Sequence, residues 1–248
     1  MQNIQIIILA AGKATRMGGI AKALAQLKNK PFLKHILDTI DHLHLNTKTI
    51  IVVGHKQEEI KEVLGNNYIY AEQKEQLGTG HAVLSAKNAV DPKDKIILVL
   101  SADQPLISKN TLENIIGRHI QKSPMITLGT VIVPNFDDYR IGMNHFGRII
   151  RDEKNLVKKI VEFKDANEEE RQIKEVNPAI YAFDSKWLWE NIHKIKNDNV
   201  KGEYYLTDLI KICCEQKQKI EAIPVSNIIE GLQPNTKEEL ETLEKLTE

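Results

Sequence analysis

The sequence predicts an α/β fold with a mixed, mainly parallel sheet. Short β-rich runs that are apolar at nearly every position recur through the first 133 residues, as strands buried on both faces do. Amphipathic helical stretches alternate with them, which is the pattern of a parallel sheet with crossover helices. After Pro134 the pattern changes to closely spaced strands followed by helices, an α+β arrangement packed on the same sheet. In order, Ile4–Leu9 is the first buried strand, and Pro31 opens a helix with Leu33, Ile36, Leu37, Ile40 and Leu43 on one face. Strands are expected at 49–53, 68–71, 96–100 and 125–133, and helices at 57–64, 81–90 and from the Ser108 cap to about 122. Beyond them, 147–151 and 156–163 read as strands joined by a turn, and 176–183 as a further strand. Helices follow at 185–195 and 204–216, with a strand at 220–225, and Thr236 and Glu239 match a capping box for a last helix.

At 248 residues the chain suits one large domain or two small ones. No Gly/Ser-rich linker divides it, so a single unit is expected. Its longest apolar runs fall far short of the roughly 20 residues of a membrane span. No basic segment precedes the first of them, so neither membrane nor leader is expected. The cysteines, Cys213 and Cys214, are adjacent and cannot staple distant segments, which points to the cytoplasm. A net charge of zero disfavours a nucleic-acid partner. The modest positive excess of the first half suits a small phosphorylated ligand.

The densest chemical signal is Leu9, Ala10, Ala11 and Gly12, followed by Lys13, Thr15, Arg16 and Met17, with Lys22 just beyond. A buried strand here runs straight into small residues, whose backbone can approach a ligand and hold phosphate oxygens. Arg16 and Lys22 add two cations. The spacing is neither a Walker A loop nor Gly-x-Gly-x-x-Gly. Asp103 lies just past the run 96–100, at the carboxyl edge where α/β sheets bind ligands, and is the best-placed carboxylate for magnesium.

Leu-Ala-Ala-Gly-x-x-Thr-Arg-Met with Lys22 after it resembles the signature of nucleotidyltransferases that activate sugar 1-phosphates. Further blocks follow in order: Gln73 with the run Gln76 to Ala82, Phe146-Gly147-Arg148-Ile149, the run Ile160 to Ala166, and the run Lys201 to Asp208. Together they are similar to the uridylyltransferase half of the bacterial bifunctional N-acetylglucosamine-1-phosphate uridylyltransferase/glucosamine-1-phosphate acetyltransferase family. The resemblance implies a Rossmann-like, three-layer α/β/α nucleotidyltransferase fold over residues 1–235. Residues 1–133 would form the nucleotide half and 134–235 the sugar half, with a C-terminal helix over 236–248. It implies magnesium-dependent uridylyl transfer from UTP to N-acetylglucosamine 1-phosphate, giving UDP-N-acetylglucosamine and pyrophosphate. The family's β-helical acetyltransferase half has no counterpart here, so an acetyltransferase partner would be a separate protein.

Carried over residue by residue, the resemblance assigns Arg16 and Lys22 to catalysis. It assigns Leu9, Ala10, Ala11, Gly12, Gln73, Gly78, Thr79, Ser101, Ala102 and Asp103 to the nucleotide, with Gln73 reading uracil. Gly147, Glu162, Asn177, Tyr205 and Thr207 fall to the sugar, and Asp103 and Gln233 to magnesium. Three departures stand out. Ser101-Ala102 replaces Tyr-Gly before the aspartate, Pro178-Ala179 replaces Thr-Gly, and Gln233 replaces an asparagine, with Asn235 two residues later as an alternative ligand. The chemistry agrees with the assignment. A sugar phosphate is already anionic and needs no general base, so positioning and charge stabilisation carry the reaction. Two other readings are compatible: a related nucleotidyltransferase with a different sugar or base, or a nucleotide-sugar-binding protein without turnover. The joint presence of Arg16, Lys22 and Asp103 argues against the last.

Overall fold

The computed structural model describes residues 3–12, 21–54 and 56–247. β1 (Ile4–Leu9) is followed by a two-stranded ribbon, β2 (Gln26–Leu27) and β3 (Lys30–Pro31). Then come α1 (Phe32–Asp41), β4 (Ile50–Val53), α2 (Gln57–Leu64), β5 (Ile69–Glu72), α3 (Thr79–Ser85), β6 (Ile96–Ser101), α4 (Lys109–Lys122) and β7 (Ile126–Ile132). The second half contributes β8 (Arg148–Arg151), β9 (Val157–Val161), α5 (Glu168–Arg171), β10 (Glu175–Val176) and β11 (Tyr181–Asp184). It ends with α6 (Ser185–Asn191), α7 (Asp208–Glu215), β12 (Ile220–Pro224) and α8 (Lys237–Leu246).

Among the described residues, all strands but the ribbon join one mixed sheet in the order β5-β4-β1-β6-β11-β7-β10-β8-β9, with β12 pairing β7 in parallel. β5, β4, β1 and β6 are parallel, and β11 is inserted antiparallel between β6 and β7. Strand alternation sends Ile7, Val52 and Val99 to one face, where Val83, Leu188, Leu209 and Ile210 of α3, α6 and α7 cover them. Ile6, Ile8, Ile51 and Leu98 face the other way, onto Leu33, Ile36, Ile60, Leu112 and Ile115 of α1, α2 and α4. Both faces of the central strands are thus buried, which is why these strands read as continuous apolar runs. The three-layer expectation holds.

Several boundaries differ from those expected of the sequence. The expected strand 176–183 is two strands, because Pro178 has no N–H to give a ladder and Ala179 sits at φ 63°, in the left-handed region. The helix expected from 204 begins at Asp208, because Tyr204 spends its N–H on Leu77 O and its carbonyl on Gly80 N. The stretch 81–90 splits into α3, which starts two residues early at Thr79, and a short 3-10 turn, Lys87–Ala89. A 3-10 run, Asp138–His145, has no counterpart among the expected elements. Thr236 caps α8 by accepting from Glu239 N, but the Glu239 carboxylate does not close the box. It accepts from Asn235 N at 2.6 Å instead.

The chain visits β4 and β5 on one side of β1 and then crosses to β6 on the other. This reversal of strand order opens a crevice at the carboxyl ends of β1 and β6. Leu9 pairs Ser101 there, and Ala102 N bonds Leu9 O at 3.1 Å. Because β11 runs antiparallel to β6, the turn that precedes it, at Asn177, lies at the same edge.

Candidate active site

The crevice is a cleft of about 550 Å³, within the usual range for small-molecule sites. Its floor is Leu9, the last residue of β1, with Ala10, Ala11 and Gly12 after it, and Ser101, the last residue of β6, with Ala102 and Asp103 after it. Gln73, Gly78, Thr79, Glu162, Asn177 and Thr207 line its walls. Fourteen of the residues assigned from sequence therefore meet in one cavity, Lys22 among them. Arg16 lies outside the described residues.

Lys22 stands at the centre. Its ammonium contacts Asp103 Oδ2 and donates to Asn235 Oδ1 at 2.7 Å. Ser101 Oγ donates to the other Asp103 oxygen at 2.7 Å. Burial pushes the Asp103 carboxyl up, but the Lys22 ammonium and the Ser101 hydroxyl outweigh it, and the group titrates below its ordinary value. Ser101 thus orients the carboxylate.

Just past β5 Gln73 is buried, and both of its amide donors are spent. Nε2 donates to Gly78 O and to His81 Nδ1, each at 3.0 Å. The Gly78 carbonyl can only accept, so the amide cannot flip, and Gln73 offers the cleft an oxygen acceptor alone. His81 acts by fixing that orientation, a role not visible in the sequence. Gly78 has φ 110°, and a Cβ there would lie 2.6 Å from Tyr204 O. Only glycine permits that approach, which docks the start of α3 against residues 203–206. Thr79 Oγ1 accepts from Leu206 N at 2.9 Å in the same junction.

Before β11 Asn177 Oδ1 accepts twice, from Ala179 N at 3.0 Å and Tyr181 Oη at 2.9 Å. Its Nδ2 is left to face the cleft as a donor. Thr207 Oγ1 donates to Glu162 Oε1 at 3.1 Å. Burial raises the Glu162 carboxyl above its ordinary value, against the lowering effects of Thr207 and Lys201. Gly147 is not in the cleft wall. It lies behind Glu162, where a Cβ would come 2.9 Å from Ile160 Cγ2 and 3.4 Å from Glu162 Oε1, and its carbonyl accepts from Asn177 N at 2.9 Å. Beneath it, the fully buried Arg148 guanidinium donates to the carbonyls of Asn144, Phe146 and Arg171. The rings of Phe136 and Phe163 flank it at 4.7 and 5.2 Å.

Two assignments are corrected. Tyr205 faces a neighbouring cavity of about 460 Å³, separated from the cleft by Glu162 and Thr207, which line both. Gln233 is not beside Asp103. Its Nε2 donates to Pro178 O at 2.8 Å, and it borders a separate hollow against α8. Asn235, the alternative ligand, takes the place beside Asp103, where the Lys22 ammonium meets both. No group of three or more His, Cys, Asp or Glu side chains that could hold a metal occurs among the described residues. Asp103 and Asn235 nevertheless turn two oxygens onto one cation, the Lys22 ammonium. Such a donor pair suits magnesium when phosphate oxygens complete the shell.

The profile of the MobA-like NTP transferase domain matches residues 6–206. The chain belongs to this family. As a transferase of nucleotides it also has curated relatives throughout its length. It is 39% identical over 247 residues to the bifunctional protein GlmU of Listeria monocytogenes serotype 4a (strain HCC23), covering 99% of this chain and 52% of that protein. It is 41% identical over 230 residues to the bifunctional protein GlmU of Exiguobacterium sibiricum, covering 92% and 49%. The chain thus spans about half the length of the curated relatives it matches. The transferase fold is also that of a UDP-glucose pyrophosphorylase solved with UDP-glucose, with TM-score 0.77 and 16% identity over 100% of this chain and 99% of that one. It is likewise that of 4-diphosphocytidyl-2C-methyl-D-erythritol synthase from Anaerococcus prevotii, with TM-score 0.67 and 16% identity over 99% and 98%. No helix among the described residues is long and apolar enough to cross a membrane.

Proposed function

We propose that this nucleotidyltransferase joins UTP to N-acetylglucosamine 1-phosphate with magnesium, giving UDP-N-acetylglucosamine and pyrophosphate. One observation carries the reading. Along the carboxyl edge of the sheet, the acceptor of Gln73 past β5, the Lys22–Asp103 cluster at β1 and β6, and the donor of Asn177 before β11 follow one another in line. Four inter-strand steps of about 4.8 Å separate β5 from β11. That span suits a base, a phosphate chain and a hexose laid end to end.

A base with a donor at N3, as in uracil, matches the single acceptor of Gln73, whereas cytosine offers an acceptor there. Lys22 is the described cation placed to leave its carboxamide partner and hold the triphosphate. Asp103 and Asn235 would hold magnesium, which supplies charge neutralisation and alignment of the phosphate oxygens. The sugar phosphate oxygen forms a bond to the α-phosphorus, the bond from that phosphorus to the bridging oxygen of the β-phosphate breaks, and pyrophosphate carries the electron pair away. No proton moves, and His81, committed to Gln73, is not a base. Asn177 Nδ2 suits a hydroxyl or acetamido oxygen, and the free Glu162 oxygen suits sugar hydroxyls. The likeness to the bifunctional GlmU proteins supports the reading as a nucleotidyltransferase. The test is a pyrophosphate-release screen of four NTPs against several hexose 1-phosphates. Release with UTP and N-acetylglucosamine 1-phosphate above all other pairs is expected, and a preference for another pair would move the reading to that sugar or base.

A further inference from the structure

We infer that Gln233 is a positioning residue that holds the sugar-facing turn Asn177-Pro178-Ala179 against its own backbone strain and is not a metal ligand. The inference rests on reading that end of the cleft as the sugar site.

The turn is strained. Ala179 has φ 63°, a region in which a Cβ is unfavourable and which persists only where neighbours over-determine it. Pro178 has no N–H, so the peptide on which Ala179 depends is held from outside through the Pro178 carbonyl. That carbonyl accepts from Gln233 Nε2 at 2.8 Å. The strained peptide determines where Ala179 N points, and Ala179 N is one of the two donors that engage Asn177 Oδ1. If the turn relaxes, the Asn177 amide loses the fixed orientation that presents Nδ2 to a sugar.

The base of the strut is rigid. Glu230 is buried, and its carboxylate accepts from Asn227 N at 3.1 Å and Ser108 N at 3.0 Å. At Gly231 a Cβ would lie 2.6 Å from Val131 Cγ2, so the backbone passes tightly against Val131, beside Pro178. Gln233 O then accepts from Asn235 Nδ2 at 2.9 Å, and Asn235 N is held by Glu239. The side chain of Gln233 therefore serves the sugar end, while its backbone carbonyl aims the Asn235 oxygen at Lys22. The two roles separate under mutation, because a side-chain substitution leaves the carbonyl in place.

Two variants, Gln233→Leu and Gln233→Glu, remove the donor while keeping the bulk. Each is expected to raise KM for the sugar 1-phosphate by roughly three- to tenfold, the reach of one neutral hydrogen bond. KM for the nucleotide and the magnesium concentration for half-maximal rate should hold. Adding Ala179→Gly to Gln233→Leu removes the strain and should restore the sugar KM. Amide hydrogen exchange at Ala179 reads the turn without substrate: it should accelerate by a similar factor in Gln233→Leu and Gln233→Glu and leave the core strands unchanged. Unchanged exchange at Ala179, or a raised magnesium requirement with an unchanged sugar KM, would overturn the inference. Should the wild type turn over no sugar 1-phosphate, the functional reading falls, and the exchange at Ala179 still decides whether Gln233 holds the turn.

Discussion

Lys22 and Asn235 are 213 positions apart in sequence, yet the ammonium of one donates to Oδ1 of the other at 2.7 Å while also gripping Asp103. One cation thereby closes the loop before α8 over the carboxyl end of β6. Lys22→Met should lower turnover at least tenfold, about 1.4 kcal/mol of barrier. It should also destabilise the fold at neutral pH by about 2 kcal/mol, because Asp103 is left buried without its counter-charge. The Asp103 carboxyl titrates below its ordinary 3.8 when paired, so the stability it contributes is present above that value and is lost as pH falls through the lowered one. The difference in melting temperature between wild type and Lys22→Met should therefore shrink in acid. A constant gap down to about pH 2.5 would show that the pair does not contribute as described.

On the proposed reading, His81 sets base choice through Gln73. His81→Leu leaves one of the two partners that fix the amide, so the UTP over CTP preference in kcat/KM should fall by roughly fivefold, the worth of about one hydrogen bond. Turnover with saturating UTP should persist. Loss of turnover with every nucleotide would instead make His81 a participant in the chemistry.

On the proposed reading, Glu162 trades stability for sugar binding. Its carboxyl is raised above the ordinary 4.5, chiefly by burial, so its charge costs stability as pH rises through the raised value, and the cost is absent below 4.5. Glu162→Gln should raise the melting temperature at about pH 8 by roughly 2–4 °C, equivalent to about 1 kcal/mol. It should raise the sugar KM about tenfold. The stability gain should vanish near about pH 4, and a gain that persists there would have another origin.

His119, buried on α4 with Nδ1 against Thr127 Oγ1 at 2.9 Å, is pulled down to about 4 from its ordinary 6.5 by burial. The unfolded chain therefore takes up a proton that the folded one refuses. The His119 contribution to stability should be level above pH 6.5 and decline between 6.5 and about 4. Denaturant titrations of wild type and His119→Gln across that window measure it, and parallel curves would remove His119 as the cause.

The central sheet was legible because Ile4–Leu9 and 96–100 are buried on both faces, which leaves a continuous apolar signature. Most of the site was legible too, since Leu9 to Gly12, Gln73 and Asp103 follow directly from strand ends. What escaped the sequence depends on backbone direction. Pro178 and Ala179 turn the chain out of the ladder, so a single expected strand became two. Within one loop Gln233 bonds the Pro178 carbonyl while Asn235, the alternative to it, reaches Lys22 beside Asp103, a division that their spacing does not reveal. Tyr205 precedes α7 and points to the far side of Glu162, which no spacing along 201–208 reveals. The pairing of Gln73 with His81 needed the α3 start at Thr79, two residues before the expected one.

Uridylyl transfer at this cleft is measured most directly by mass spectrometry of the product after incubation of UTP with N-acetylglucosamine 1-phosphate. It is run with magnesium, with EDTA, and with Asp103→Asn. Equimolar UDP-N-acetylglucosamine and pyrophosphate are expected with magnesium, none with EDTA, and at most about a hundredth of the rate with Asp103→Asn, equivalent to about 2.7 kcal/mol. Undiminished product formation with EDTA or with Asp103→Asn, or no nucleotide sugar from UTP under any of these conditions, would contradict it.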